Sequence, residues 1–240
     1  MNNEIFNYVY KCLPNSSKLL HVTEVGSFMW NMGNECETNG RLSDHDMFIV
    51  YQQPTAKILM GRDHLKNFPC KHNISLNRNI YDFTFMEVEH FLNSIIKGNI
   101  NAVMGLTSPL VYYPFCFDKV RYYVMDNIKE FNIIPSVLGM CRHQLKDIQE
   151  STTSINSKKL GISYRLLKFA ENVYENNTLN YSKINKEDAT LLNCNQLIKK
   201  LQCINIKQNS TIDNVIRSYL LEIRLNDLES NSWCPLDNEE

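Results

Sequence analysis

The sequence predicts an α+β protein: a mixed sheet with flanking helices over residues 1–134, followed by a helical C-terminal domain over residues 135–240. Three observations predict it. Short β-like runs alternate with helical ones up to about residue 116. Beyond that point helical periods dominate. Hydrophobic residues make up 43% of the 240 and charged residues 21%, enough apolar material for a packed core and too much for extended disorder.

The elements follow in chain order. Leu19-Leu20-His21-Val22-Thr23-Glu24-Val25 reads as a strand ending at Gly26-Ser27. Asp46-Met47-Phe48-Ile49-Val50-Tyr51 reads as a second, closed by Gln52-Gln53-Pro54, and Ile80-Tyr81-Asp82-Phe83-Thr84-Phe85 as a third. A helix follows, because Val88, Phe91, Leu92 and Ile95 recur at helical spacing and Gly98 stands where a C-terminal cap belongs. Leu160, Leu167, Ala170 and Tyr174 form a later apolar stripe, with Lys159, Arg165 and Lys168 expected largely outside it. Ser210-Thr211-Ile212-Asp213 resembles a capping box, opening a helix whose apolar face runs through Ile212, Val215, Ile216, Tyr219 and Ile223.

Composition narrows the function. Lys plus Arg is 25 and Asp plus Glu is 26, a formal charge of −1. No global basic field exists to hold nucleic acid, so any such contact must use a local patch. The N-terminal stretch lacks the charged start and apolar core of a signal peptide, and no run approaches the roughly 18 apolar residues of a membrane span. A cytoplasmic protein without membrane contact is expected. The 8 cysteines are scattered, as free thiols in a reducing compartment would be. Cys70-Lys71-His72 and Cys141-Arg142-His143 are short Cys-x-His steps; without the usual ligand spacing they read as coincidence rather than as a zinc site.

The chemistry-bearing stretch is Ser43-Asp44-His45-Asp46-Met47-Phe48-Ile49-Val50. Aspartate is depleted in strands, yet two stand at the entry of a strongly apolar one. Strand alternation puts Asp44 and Asp46 on one face, with α-carbons roughly 6.6 Å apart, and turns His45 away. Two carboxylates on one face repel unless a cation lies between them, and a hard ion, Mg²⁺ or Mn²⁺, suits an all-oxygen donor set. Asp82 repeats the anomaly among aromatic residues. On a neighbouring strand it would complete a three-carboxylate site able to hold two metals roughly 3.5–4 Å apart for in-line phosphoryl chemistry. Upstream, Gly26 lets backbone approach a phosphate closely, and Ser27 adds a hydroxyl donor beside the exposed amides of a helix start.

The order Gly-Ser, Asp-x-Asp, then a lone strand aspartate resembles the DNA polymerase β-like nucleotidyltransferase superfamily. The run Tyr81 to Phe91 is similar to the strand-then-helix of its YcgL/RlaP-type, RNA-repair-associated predicted nucleotidyltransferases. Lys97-Gly98-Asn99 before Thr107-Ser108-Pro109, and the basic stretch from Lys158-Lys159-Leu160 to Arg165-Leu166-Leu167, match further features, so the resemblance spans roughly residues 20–175. The chain departs from the pattern in the longer segment Phe28 to Ser43 and in Ile162, where a histidine is expected.

The resemblance implies the polymerase β-like fold and transfer of a nucleoside monophosphate from an NTP, most simply ATP, to an acceptor hydroxyl, with release of pyrophosphate. It implies Asp44, Asp46 and Asp82 as catalytic metal ligands, and Gly26, Ser27, Lys159 and Arg165 as nucleotide contacts. An RNA or tRNA 3′ end is the implied acceptor. A protein hydroxyl, as in AMP-transferring antitoxin-type relatives, and a non-catalytic nucleotide- or RNA-binding module stand as the alternatives.

Overall fold

The structure is a computed structural model describing residues 3–32, 43–60, 70–113, 117–149, 155–206 and 210–230. Most of the segment between Phe28 and Ser43 lies outside these residues. In chain order the elements are α1 (Asn3–Cys12), β1 (Lys18–Val25), α2 (Gly26–Met29), β2 (His45–Gln52), α3 (Thr55–Leu59), β3 (Lys71–Leu76), β4 (Asn79–Glu87), α4 (Val88–Ile96), α5 (Ile100–Thr107), β5 (Val111–Tyr113), α6 (Asp118–Asp126), α7 (Ile134–Gln149), α8 (Ile155–Asn176), α9 (Leu191–Gln202) and α10 (Ser210–Ser230). The fold is α+β, with a mixed sheet up to β5 and helices alone among the described residues beyond it.

The five strands run in the order β3-β4-β2-β1-β5. β2 and β4 are parallel, and every other pair is antiparallel. The three strands read from the sequence thus lie side by side at the centre. The outer two are missing from the sequence reading because they are short or polar: β5 has three residues, and β3 (Lys-His-Asn-Ile-Ser-Leu) is exposed or half-exposed throughout.

Strand alternation divides the core in two. On one face Leu20, Phe48 and Val50 pack against helices whose buried side chains include Phe91, Leu92, Val137, Leu167 and Ile216. On the other, Val22, Met47, Ile49, Phe83 and Phe85 pack against Ile5 and Val9 of α1. The first cluster runs without interruption from the sheet to α10, across residue 134.

α4 follows β4 directly, and its predicted face (Val88, Phe91, Leu92, Ile95) is fully buried. Its cap works as the sequence suggests: Gly98 has φ +67°, and a Cβ there would lie 2.1 Å from the Asn132 carbonyl oxygen. α10 is anchored across the far end of the sheet. Arg224 donates to Glu87 (2.7 Å) and to the Gln53 carbonyl (3.0 Å), while the Thr55 amide donates to Asp227 (2.7 Å). No helix among the described residues is long and apolar enough to cross a membrane.

Candidate active site

Three chain segments meet at one end of the sheet. β2 and β4 begin there, and β1 ends there. The parallel register places Asp46 opposite Asp82, and the antiparallel register places Val25 opposite Asp46. Residues paired in register point to the same face, so Asp46 and Asp82 share one, with the Gly26-Ser27 turn beside them. Asp44 lies one residue before β2, so strand alternation does not itself orient it; its charge nonetheless acts on Asp46.

Gly26 is where the turn touches the acidic site. It has φ +64°, and a Cβ built on it would fall 1.8 Å from Asp46 Oδ2. Only glycine lets the backbone lie against that carboxylate. α2 then begins at Gly26 and carries Ser27 in its first turn.

Asp46 is the electrostatic centre. Burial, followed by the charges of Asp82 and Asp44, pushes its carboxyl up to about 6, and Lys158 opposes the shift. No hydrogen bond from the described residues reaches it, so among these residues the negative charge that Asp46 carries at neutral pH is met only at a distance, by Lys158.

Asp82 is held differently. Oδ1 accepts the Asn73 amide (2.8 Å) and Oδ2 accepts from His72 Nδ1 (3.1 Å), both from the edge strand β3. Among the described residues no group of three or more His, Cys, Asp or Glu side chains is arranged to hold a metal ion. Asp46 and Asp44 nevertheless fit a hard divalent cation in donor chemistry, since carboxylates offer oxygens alone. Asp82 keeps spare acceptor capacity, because one bond to each oxygen uses two of roughly four lone-pair sites.

The opposite face at the same sheet end is packed. His45 lies between Phe28 (centroids 4.0 Å apart, 13° between planes) and Tyr81 (4.7 Å, 19°). Its Nδ1 bonds Glu24 Oε1 at 2.6 Å, and the Tyr112 hydroxyl donates to Glu24 Oε2 at 2.6 Å. His45 therefore turns away from Asp46, as strand alternation requires.

α8 brings the basic residues. Lys158, exposed in its first turn, is the cation acting on Asp46, and Lys159 beside it is half-buried. Arg165 differs from expectation: it is buried, 9% exposed, with Nη1 at 3.1 Å from Met32 Sδ, so it faces inward toward the segment after α2 rather than lying outside the apolar stripe. A long side chain with an apolar stem can do this from a helix flank. Lys168 is committed to an ion pair with Glu171.

The Cys-x-His steps separate. Cys70 Sγ lies 3.9 Å from Thr84 Oγ1, and His72 turns to Asp82. The second step is on α7, where Cys141 is buried with its thiol pushed up to about 12 by burial, and His143 is exposed. A cavity of about 230 Å³ near Lys97, Phe131 and Ile212 shares no lining residue with the carboxylates.

Two contributors were missed from sequence, His72 and the Asn73 amide. His72 stood out in the sequence only as part of a Cys-x-His step, and the hairpin turn that brings β3 beside Asp82, Asn77-Arg78, lacks the usual glycine. No family model matches the chain, and no curated protein matches it. Among solved structures it is similar to a nucleotidyltransferase-like protein from Exiguobacterium sibiricum 255-15. The two are 12% identical, with a TM-score of 0.32, and the match covers 95% of this chain and 73% of that one. A likeness this slight assigns no residue a role.

Proposed function

We propose that the protein is a metal-dependent nucleotidyltransferase, moving a nucleoside monophosphate from an NTP to an acceptor hydroxyl and releasing pyrophosphate. The observation that carries this reading is the half-buried Asp46 carboxylate, which accepts no hydrogen bond from the described residues, faces Asp82 across the β2–β4 register and lies against the Gly26-Ser27 turn. The resemblance to polymerase β-like enzymes, with its Gly-Ser, Asp-x-Asp and third aspartate, supports the same chemistry.

Asp44 and Asp46 would hold Mg²⁺, with Asp82 beside them. The bound ion would neutralise phosphate oxygens and steady the leaving pyrophosphate. Gly26 and Ser27 present backbone and hydroxyl donors to the triphosphate. Lys158 and Lys159 supply positive charge from α8, and the inward Arg165 braces the segment around Met32. The acceptor oxygen attacks the α-phosphorus, its proton passes to Asp82, and the bond from the α-phosphorus to the bridging oxygen breaks. ATP is the simplest donor, and an RNA 3′ end is the acceptor the resemblance favours.

The test is incubation with each α-labelled NTP, Mg²⁺ and total RNA, beside an Asp44→Ala/Asp46→Ala double variant. Label entering RNA with the wild type alone supports the proposal. Label entering a protein moves the acceptor, and equal label from the variant removes the reading.

A further inference from the structure

β3 is an edge strand with polar, exposed residues, and it adds little to either core. Its pairing with β4 is irregular at one place, between Lys71 and Ile74, and the two residues inside that irregularity are His72 and Asn73. Asn73 has φ +56°, a left-handed backbone that asparagine tolerates better than most residues. The bulge thereby aims a backbone N–H at Asp82 Oδ1 (2.8 Å) and an imidazole at Oδ2 (3.1 Å). His72 is 61% exposed and Asp82 is 30% exposed in their side chains, so burial does not force the contact.

We propose that His72 is a positioning residue for Asp82: with the Asn73 amide, it fixes the rotamer of the third carboxylate for metal binding opposite Asp46. The inference rests on the metal-dependent reading above. Strand geometry sets the Asp82 Cα, but an aspartate beside two other acidic groups would swing its carboxylate away from them. Two donors from one bulge, one to each oxygen, hold it at a defined angle. Oxygens that ligate metals are commonly held by such outer partners, whose loss costs 10- to 100-fold in metal affinity or activity. Nδ1 must carry the hydrogen here, since a carboxylate only accepts.

The experiment measures Mn²⁺ binding by electron paramagnetic resonance on the full chain at constant pH. It compares wild type, His72→Ala, His72→Asn and Asp82→Asn, with far-UV circular dichroism confirming the fold. Asparagine places an amide N–H near the position of Nδ1. The expected result is Mn²⁺ binding weakened about 10- to 100-fold in His72→Ala, close to the Asp82→Asn level, and restored to within about threefold of wild type in His72→Asn. The proposal is overturned if His72→Ala binds Mn²⁺ as wild type does, if His72→Asn is as weak as His72→Ala, or if Asp82→Asn loses nothing. A wild type that binds no Mn²⁺ overturns the metal-dependent reading itself, a pattern distinct from the other three.

Discussion

Replacing Asp46 by asparagine should make the protein more stable while destroying its proposed activity. The folded chain pushes this carboxyl from an ordinary 3.8 up to about 6 through burial and the charges of Asp82 and Asp44. At neutral pH the group is ionised in both states, and the folded state carries the full penalty, up to about 3 kcal/mol at 1.36 kcal/mol per pH unit of displacement. Asparagine keeps the shape and removes the charge. For a chain of this size 1 kcal/mol moves the melting temperature by roughly 2–4 °C, so Asp46→Asn should melt several degrees above wild type at pH 7.5 in chelator.

The pH dependence checks the cause. Below about pH 3.8 the wild-type carboxyl is protonated in both states, and the two proteins should differ little. Between 3.8 and 6 the unfolded chain loses its proton first, so wild-type stability falls as pH rises and the advantage of the variant grows. Above 6 the difference is constant. Adding Mg²⁺ at ten times its Kd should stabilise wild type by about 1.4 kcal/mol and the variant by much less. Thermal melts over this pH range, with and without Mg²⁺, make the measurement. A variant no more stable than wild type at pH 7.5, or a difference that ignores pH, would refute the account of Asp46 as an uncompensated charge.

Other changes test other joints. Gly26→Ala should cost at least ~1 kcal/mol from its left-handed φ alone, and the 1.8 Å encounter with Asp46 should lower label transfer about a hundredfold or more in the α-labelled NTP assay. His21 is buried, its Nε2 lies 3.2 Å from the Gly105 carbonyl, and burial holds its pKa down at about 4 against 6.5. As pH falls from 6.5 to 4 the unfolded chain binds the proton first, so His21 should remove up to about 3 kcal/mol of stability over that window. Because Asp46 acts oppositely between 3.8 and 6, denaturant melts in the Asp46→Asn background should show the slope, and His21→Leu should abolish it. Arg224→Met leaves the buried Glu87 unpaired and should cost about 3–5 kcal/mol in urea melts, with part regained when Glu87→Gln is added.

What the sequence made legible follows from what each residue's neighbours impose. The central strands were legible because they are apolar and bounded by breakers, and α4 because four buried positions repeat at helical spacing before Gly98. Asp46 and Asp82 were legible as misfits, charged residues in runs that are otherwise largely apolar. β3 was not, since an edge strand needs no apolar pattern and its turn, Asn77-Arg78, takes φ +49° and +68° without glycine. The His72 and Asn73 contacts depend on a bulge in the β3–β4 register, a property of two strands that no window of one strand contains. Arg165 was misplaced because charge was taken as a sign of exposure, whereas its guanidinium reaches inward to Met32.

Two acidic residues a single register step apart show why the misfit matters. Glu24 and Asp46 stand on β1 and β2 at the same end of the sheet, on opposite faces. Glu24 is nearly inaccessible, yet it receives two bonds of 2.6 Å, from His45 and Tyr112, under a stack of aromatic rings. It is a buried carboxylate whose requirements the fold meets, and its role is to hold the strand ends together. Asp46 is less buried, receives no hydrogen bond from the described residues, and sits within the field of Asp82 and Asp44. The described residues supply two donors to Glu24 and none to Asp46, a few ångströms away through the sheet, and this difference sets the second group apart as a candidate for binding. A cation relieves such a carboxylate, and a nucleotide's phosphates can bring one. The Phe28–His45–Tyr81 stack serves the same end from behind, because it ties the residue between Asp44 and Asp46 to the turn that follows Gly26-Ser27.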